Sequence, residues 1–197
     1  MIKAIVFDCF GVLIANDLHG RVEAINNENP EAGQALRDVM KARDRGMLSR
    51  TESTKLMSDI MGVDPTSLRE SIDKGMSKNT ALITIIRSLK STYKIALLSN
   101  VSGRDRLDEL FDPGELDEVF ETVVASGDEG IIKPEREIYE LTAERLGVAP
   151  EVCVMIDDIP EYCQGANAAG MQAIQFFSTE QFEKDFAALI DSEGQTD

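Results

Sequence analysis

The chain predicts an α/β protein: a parallel sheet covered on both faces by helices, with a helical insertion after its first strand. Three observations carry this reading. Short runs of unbroken apolar character recur along the chain, as strands buried on both faces do. Helical patterns of crossover length fill the spaces between most of them. One long stretch, from Ala15 to about Asn79, departs from this alternation and shows helices without a convincing strand.

Taken in order, the strands are expected at residues 2–8, 94–99, 121–125, 152–157 and 172–176. Helices are expected at residues 102–110, at 135–146 closed by Gly147, at 162–169 closed by Gly170, and at 179–190. A glycine just past the last periodic position supplies the left-handed residue on which many helices end. Between the first and second strands, helices joined at Asn29-Pro30, Arg45-Gly46 and Asp64-Pro65 form the insertion, and its Met and Leu residues at helical spacing read as its own small core. The expected organisation is a three-layer, Rossmann-like core from residues 1–14 and 80–197, with residues 15–79 inserted as a helical cap and the tail 191–197 frayed.

A chain of 197 residues, 43% of them hydrophobic, is long enough to bury a sizeable core. Its 20 Lys+Arg against 36 Asp+Glu give a formal charge of −16, which opposes nucleic acid and anionic lipid as partners. A small molecule is the expected partner, and the expected assembly is a monomer or homodimer. Cys9, Cys153 and Cys163 are odd in number, and two lie in apolar runs, as reduced buried thiols do. No apolar stretch reaches membrane-spanning length, and residues 1–14 lack the features of a secretory signal, so a cytoplasmic location is expected.

In an open parallel sheet the ligand site lies beyond the carboxyl ends of the strands, so chemistry-bearing residues at those ends converge. Asp8 ends the first strand where it opens into Phe10-Gly11-Val12. Ser99-Asn100 ends the second, Lys133-Pro134 follows the third, and Asp157-Asp158 ends the fourth. Taken singly, each has an ordinary explanation as a turn or helix cap. Adjacent carboxylates after an apolar run are harder to dismiss, because their repulsion costs free energy unless a cation or helix dipole offsets it.

These four segments, in this order and with a helical insertion after the first, resemble the haloacid dehalogenase-like hydrolase superfamily over nearly the whole chain. Lys133-Pro134-Glu135, with Gly165-Ala166 and Ala169-Gly170 after the acids, resembles its helical-cap, phosphatase-like branch. The resemblance implies a phosphatase in which Asp8 is the nucleophile and forms an aspartyl-phosphate. It implies Lys133 as a cation for the phosphoryl oxygens, with Ser99, Asn100 and backbone N–H groups after Asp8, Gly11 among them, as hydrogen-bond donors. It further implies Mg²⁺ held by Asp8, Asp157, Asp158 and the backbone carbonyl of Phe10. The implied substrate is a small phosphorylated metabolite.

Phe10 departs from the pattern, since the common phosphatases carry there an aspartate that protonates the leaving group and then activates water. Three readings follow. The first is a phosphatase confined to easy leaving groups, such as a sugar 1-phosphate or an acyl phosphate. The second is a metal-independent 2-haloacid dehalogenase, whose first motif resembles Asp-x-Tyr/Phe-Gly, and the third is a weakly active or non-catalytic binding protein. Asp157-Asp158 favours the first, because the dehalogenase branch lacks that acid pair. His19 is a candidate substitute for the missing acid–base, and Lys41, Arg43 and Arg45 read as a solvated helix face.

Overall fold

The computed structural model describes residues 1–194. Its centre is a five-stranded, wholly parallel sheet of β1 (Ala4–Phe7), β4 (Lys94–Ser99), β5 (Thr122–Ala125), β6 (Cys153–Asp157) and β7 (Gln172–Gln175). The spatial order is β5-β4-β1-β6-β7. The chain therefore builds outward from β1 on one side before crossing to the other, which makes the carboxyl end of β1 the topological switch point.

The unbroken apolar runs are explained by burial on both faces. Ile5, Phe7, Ile95, Leu97, Val154 and Ile156 point into one core, shared with α5 (Thr80–Leu89) and α11 (Thr179–Gly194). The alternate residues Ala4, Val6, Ala96, Leu98, Cys153 and Met155 point into a second core beneath α9 (Arg136–Leu146) and α10 (Pro160–Ala168). Successive side chains on a strand face opposite ways, so one apolar run feeds both layers. At about 25 cal/mol per Å² of apolar surface removed from water, these two layers supply the main driving force for folding.

Between β1 and β4 stand α1 (Leu18–Glu28), α2 (Pro30–Asp44), α3 (Arg50–Met61) and α4 (Pro65–Lys74). Their starts follow the sequence: Asn29 and Asp64 cap helices that begin with proline, and Ser49 with Glu52 forms a capping box. They share a third, smaller core of Leu18, Val22, Leu36, Met40, Met57 and Leu68.

The expectation of no strand between residues 15 and 79 fails at the segment's two ends. Ile14–Ala15 (β2) pairs antiparallel with Ser77–Lys78 (β3), too short a ribbon to leave a pattern in the sequence. The final helix also runs to Gly194 rather than fraying from residue 191, and residues 195–197 of that expected tail lie outside the described part. The short helices α6 (Arg104–Asp108), α7 (Glu115–Val119) and α8 (Ser126–Glu129) complete the chain. Among the described residues, no helix is long and apolar enough to cross a membrane. All three cysteines are buried and free.

Candidate active site

Four segments meet at the carboxyl end of the sheet. Asp8 follows β1 directly and donates its N–H to the Ile156 carbonyl at 2.9 Å, so the backbone is still held by β6 where the carboxylate emerges. Asp157 is the last residue of β6, and its Oδ1 accepts the N–H of Ile159 at 2.9 Å, which fixes the carboxylate at the start of the turn. Lys133, in the loop between α8 and α9, is 1% exposed. Its Nζ donates to Asp8 Oδ1 at 2.7 Å and to Asp157 Oδ2 at 2.6 Å, and stands 5.0 Å from the centre of the Tyr162 ring.

Asn100 holds the lysine loop in place. Its Nδ2 donates to the Lys133 carbonyl at 3.0 Å and to the Tyr162 hydroxyl at 3.3 Å, while its Oδ1 accepts the Lys133 N–H at 2.8 Å. Both amide hydrogens serve the protein, although the sequence suggested a substrate contact. Gly11 differs in the same way, since its N–H donates to the Ile14 carbonyl at 2.8 Å instead of opening towards a ligand. Ser99 stands at the end of β4, fully buried, with its Oγ lacking any hydrogen-bond partner.

The cluster carries more negative charge than it neutralises. Asp8, Asp157 and Asp158 each offer an oxygen within 4.8 Å of the others, and Lys133 is the cation between them. Burial pushes the Asp8 carboxyl up to about 8 despite the Lys133 ammonium, and the Asp157 carboxylate adds to the rise. Asp158 is pushed up to about 6 by burial and by Asp157. The two flanking carboxylates hold Lys133 protonated in spite of its own desolvation.

Two further observations concern what this charge would hold. Asp158 Oδ1 is buried with no hydrogen-bond partner, an arrangement that costs free energy unless a ligand satisfies it. Gly11, at φ +93°, gives the Asp158 carboxylate its space, because a Cβ there would lie 2.2 Å from Asp158 Oδ2. Hard oxygens, surplus negative charge and an orphan carboxylate oxygen together fit a small divalent cation.

The site opens into a cavity between the sheet end and the helical segment. Asp8, Lys133, Asn100 and Tyr162 line it from the sheet side, with Phe10 among them. His19, Met40, Arg43, Arg50, Met57 and Arg69 line it from the helical segment. Desolvation lowers the His19 pKa from its ordinary value, which leaves the imidazole neutral near pH 7.

The basic stretch read as a solvated face is only partly one. Lys41 is exposed, but Arg43 lines the cavity and pairs with Asp44 at 2.8 Å. Arg45 reaches the core, where it pairs with Glu135 and donates to the Gly130 carbonyl at 3.2 Å. Nearby, Ser126 Oγ donates to the Asp44 carbonyl at 2.5 Å, and Gly46 at φ +72° lies so close to Gly127 that a Cβ would meet its carbonyl oxygen at 2.3 Å. Sequence reasoning missed Ser126, Tyr162 and the arginines outside that stretch. Only the glycine at 46 hinted at close approach, and it does not say to what.

Comparison with known proteins agrees with this geometry. The model of the haloacid dehalogenase-like hydrolase family matches residues 2–170. The putative phosphatase YhcW of Bacillus subtilis is 27% identical over 189 residues, covering 88% of this chain and 83% of that protein. Phosphatase MT3486 of Mycobacterium tuberculosis is 31% identical over 103 residues, and there the match spans 52% of this chain and 41% of the relative. The crystal structure of HAD family enzyme bt-2542 from Bacteroides thetaiotaomicron superposes with a TM-score of 0.74 at 21% identity, covering 94% of this chain and 98% of that one. The same enzyme in complex with magnesium and inorganic phosphate gives a TM-score of 0.71 at 21% identity, with 92% and 100% covered. With the family model matching most of its length, the chain belongs to the haloacid dehalogenase-like hydrolases.

Proposed function

We propose that the protein is a Mg²⁺-dependent phosphomonoester hydrolase that acts through an aspartyl-phosphate on Asp8, with a small phosphorylated metabolite as substrate. The observation that carries this reading is the buried contact of Lys133 with both Asp8 and Asp157, beside the unsatisfied oxygen of Asp158. Phosphatase-named relatives support it, as does the solved relative holding magnesium and phosphate.

In this reading Asp8, Asp157, Asp158 and the Phe10 carbonyl hold Mg²⁺, which supplies positive charge to the phosphoryl oxygens. The Asp8 oxygen not engaged by Lys133 attacks phosphorus, and the bond to the leaving oxygen breaks with its electron pair departing on that oxygen. Lys133 Nζ turns part of its donor capacity to the phosphoryl group, where charge develops. Ser99 Oγ, which has no partner in the protein, is the hydroxyl donor assigned to the same group. Water then cleaves the acyl phosphate, releasing phosphate and restoring the Asp8 carboxylate. His19, neutral near pH 7, accepts the proton of that water.

Phe10 selects the substrate class. A positioned general acid is worth roughly 10²–10⁴ in rate, and the Phe10 ring has no proton to give. Leaving groups that depart readily as anions, such as an anomeric sugar oxygen or an acyl oxygen, suit this site. The helices over the cavity act as a cap that excludes water and reads the rest of the molecule. The metal-independent dehalogenase alternative suits the charge poorly, because with no cation bound the surplus carboxylate of Asp157 and Asp158 would face an anionic 2-haloacid, whereas Mg²⁺ would offset it for a phosphate.

The test is a panel of sugar 1-phosphates, sugar 6-phosphates, acyl phosphates and an aryl phosphate, with and without Mg²⁺, with halide release from 2-haloacids measured in parallel. Mg²⁺-dependent phosphate release fastest on the 1-phosphates or acyl phosphates is expected. No phosphate release from any of them by a folded protein would sink the proposal.

A further inference from the structure

The same cavity carries a second concentration of charge, of opposite sign, that shares no contact with the Lys133 cluster. Arg50 at the start of α3, Arg69 in α4 and Arg106 in α6 all line it. A chain with a net charge of −16 places four arginines around one space, of which Arg43 is paired with Asp44 at 2.8 Å. The other three have two acidic partners. Asp73 takes Arg50 at 2.7 Å, Arg106 at 3.2 Å and Arg69 at 3.9 Å, while Glu109 takes Arg50 at 3.0 Å and Arg106 at 2.7 Å.

Neither acid lines this cavity; both line the clefts behind it. Three arginines against two acids leave one positive charge over. Arg106 is largely buried, with 12% of its side chain exposed, and Arg50 has 23% exposed, so solvent screens the excess incompletely. Burial, and next the neighbouring Arg106, lower the pKa of Arg50, as crowding of like charges should. The cavity wall is partly apolar, with Met57, Ile72 and Met76.

We propose that Arg50, Arg69 and Arg106 form a second anion subsite of the cavity, so that the substrate is a phosphorylated compound bearing a second anionic group, a carboxylate or a further phosphate. Guanidinium forks pair with both groups in bidentate geometry. The apolar part of the lining suits an uncharged carbon scaffold linking the anions. The proposal rests on the phosphatase reading for the first anion and adds the second.

Binding of non-hydrolysable probes to the Mg²⁺-loaded protein tests it without turnover, by calorimetry. Alkylphosphonates of graded chain length carry one anion. Phosphonocarboxylates and α,ω-bisphosphonates of the same lengths carry two, and their relative strength distinguishes carboxylate from phosphate. At the best-fitting length the second anion should tighten binding by about tenfold or more, the worth of one or two charge-assisted hydrogen bonds. That advantage should fall several-fold in Arg69→Gln and in Arg50→Gln, and should persist in Lys55→Gln, whose exposed ammonium pairs only with Asp59 at 2.8 Å in the same helix. Equal binding of one- and two-anion probes at every length would overturn the subsite and leave the phosphatase reading standing. So would an advantage that survives Arg50→Gln with Arg69→Gln in a folded protein. Failure of every phosphonate to bind would overturn the phosphatase reading, and the subsite with it.

Discussion

The two charged ends of the cavity are built in different ways. At the sheet end Lys133 has no exposed side-chain surface, and its two carboxylate partners are anchored by strands hydrogen-bonded to one another. At the end nearer the helical segment Arg50 and Arg106 share Asp73 and Glu109, and Arg69 pairs with Asp73, the acids being 42% and 55% exposed, across the join of helical segment and core. Charges in a dry, rigid setting interact strongly, and one left with no partner at all is costly. Charges near water interact weakly and exchange partners at little cost. The first arrangement suits a reaction performed identically on every substrate, and the second suits recognition of whatever that substrate carries.

The hardest blow to the sheet end is Asp8→Asn. It should lower turnover by at least ~10³-fold, as removal of a nucleophile does. The unfolding midpoint in the absence of Mg²⁺ should hold or rise, because burial already disfavours the charged form of Asp8. Measuring kcat and thermal unfolding on one preparation checks both, and full residual activity would reject the covalent route. Lys133→Met comes next. It leaves buried carboxylates without their cation, which should destabilise the fold by about 3–5 kcal/mol at neutral pH in denaturant titration. The loss should be greatest at alkaline pH and shrink as pH falls through the neutral range, because Asp8, raised to about 8 even beside the ammonium, then takes up its proton.

The sequence revealed the sheet end because a strand end is a local event. An apolar run followed by Asp8, Ser99 or Asp157 tells where the side chain emerges, and the parallel order then brings those ends together. It did not reveal the other end, since Arg50, Arg69 and Arg106 come from three helices whose mutual placement depends on how the helical segment docks. That docking is set by contacts such as Gly46 on Gly127 and Ser126 on the Asp44 carbonyl, between residues far apart in the chain and without any shared pattern. Asn100 and Gly11 show the remaining limit. Their hydrogen-bonding groups, expected to face a substrate, are occupied by Lys133, Tyr162 and Ile14.

Gly11→Ala probes the sheet end more gently. The added Cβ overlaps the Asp158 carboxylate at a backbone angle that L-residues rarely adopt, a strain of roughly 1–3 kcal/mol. It should sharply reduce the rise in melting temperature on adding Mg²⁺, whereas Phe177→Ser, an exposed change elsewhere, should not. Acidity probes the same charges. Asp8 and Asp158 titrate at about 8 and about 6 in the folded chain, against an ordinary 3.8. Folding thus retains protons that unfolding releases, and the metal-free protein should lose stability as pH rises from about 4 to 8. Mg²⁺ competes with those protons, so its stabilising effect should grow over the same range. A Mg²⁺ shift independent of pH would count against these carboxylates as the ligands.

The smallest effect belongs to the join between helical segment and core, and it bears most directly on the contrast between the two ends. Arg45 pairs with Glu135 while both side chains are about one third exposed. Such a pair is worth at most about 1 kcal/mol, so Arg45→Ala should barely move global unfolding. If the pair helps hold the helical segment over the cavity, its loss should raise KM by a few-fold while kcat changes little, because the sheet end is untouched. Sodium chloride at about 0.5 M should raise KM in both proteins, through the partly exposed arginines of the cavity, and should raise it less in the variant, since screening removes part of what the mutation has already removed. The Lys133 cluster lies beyond the reach of screening, so kcat should stay flat across the same salt series. A kcat that falls in parallel with KM's rise would mean that the buried charges are not insulated from the exposed ones, and the two ends would have to be treated as one network.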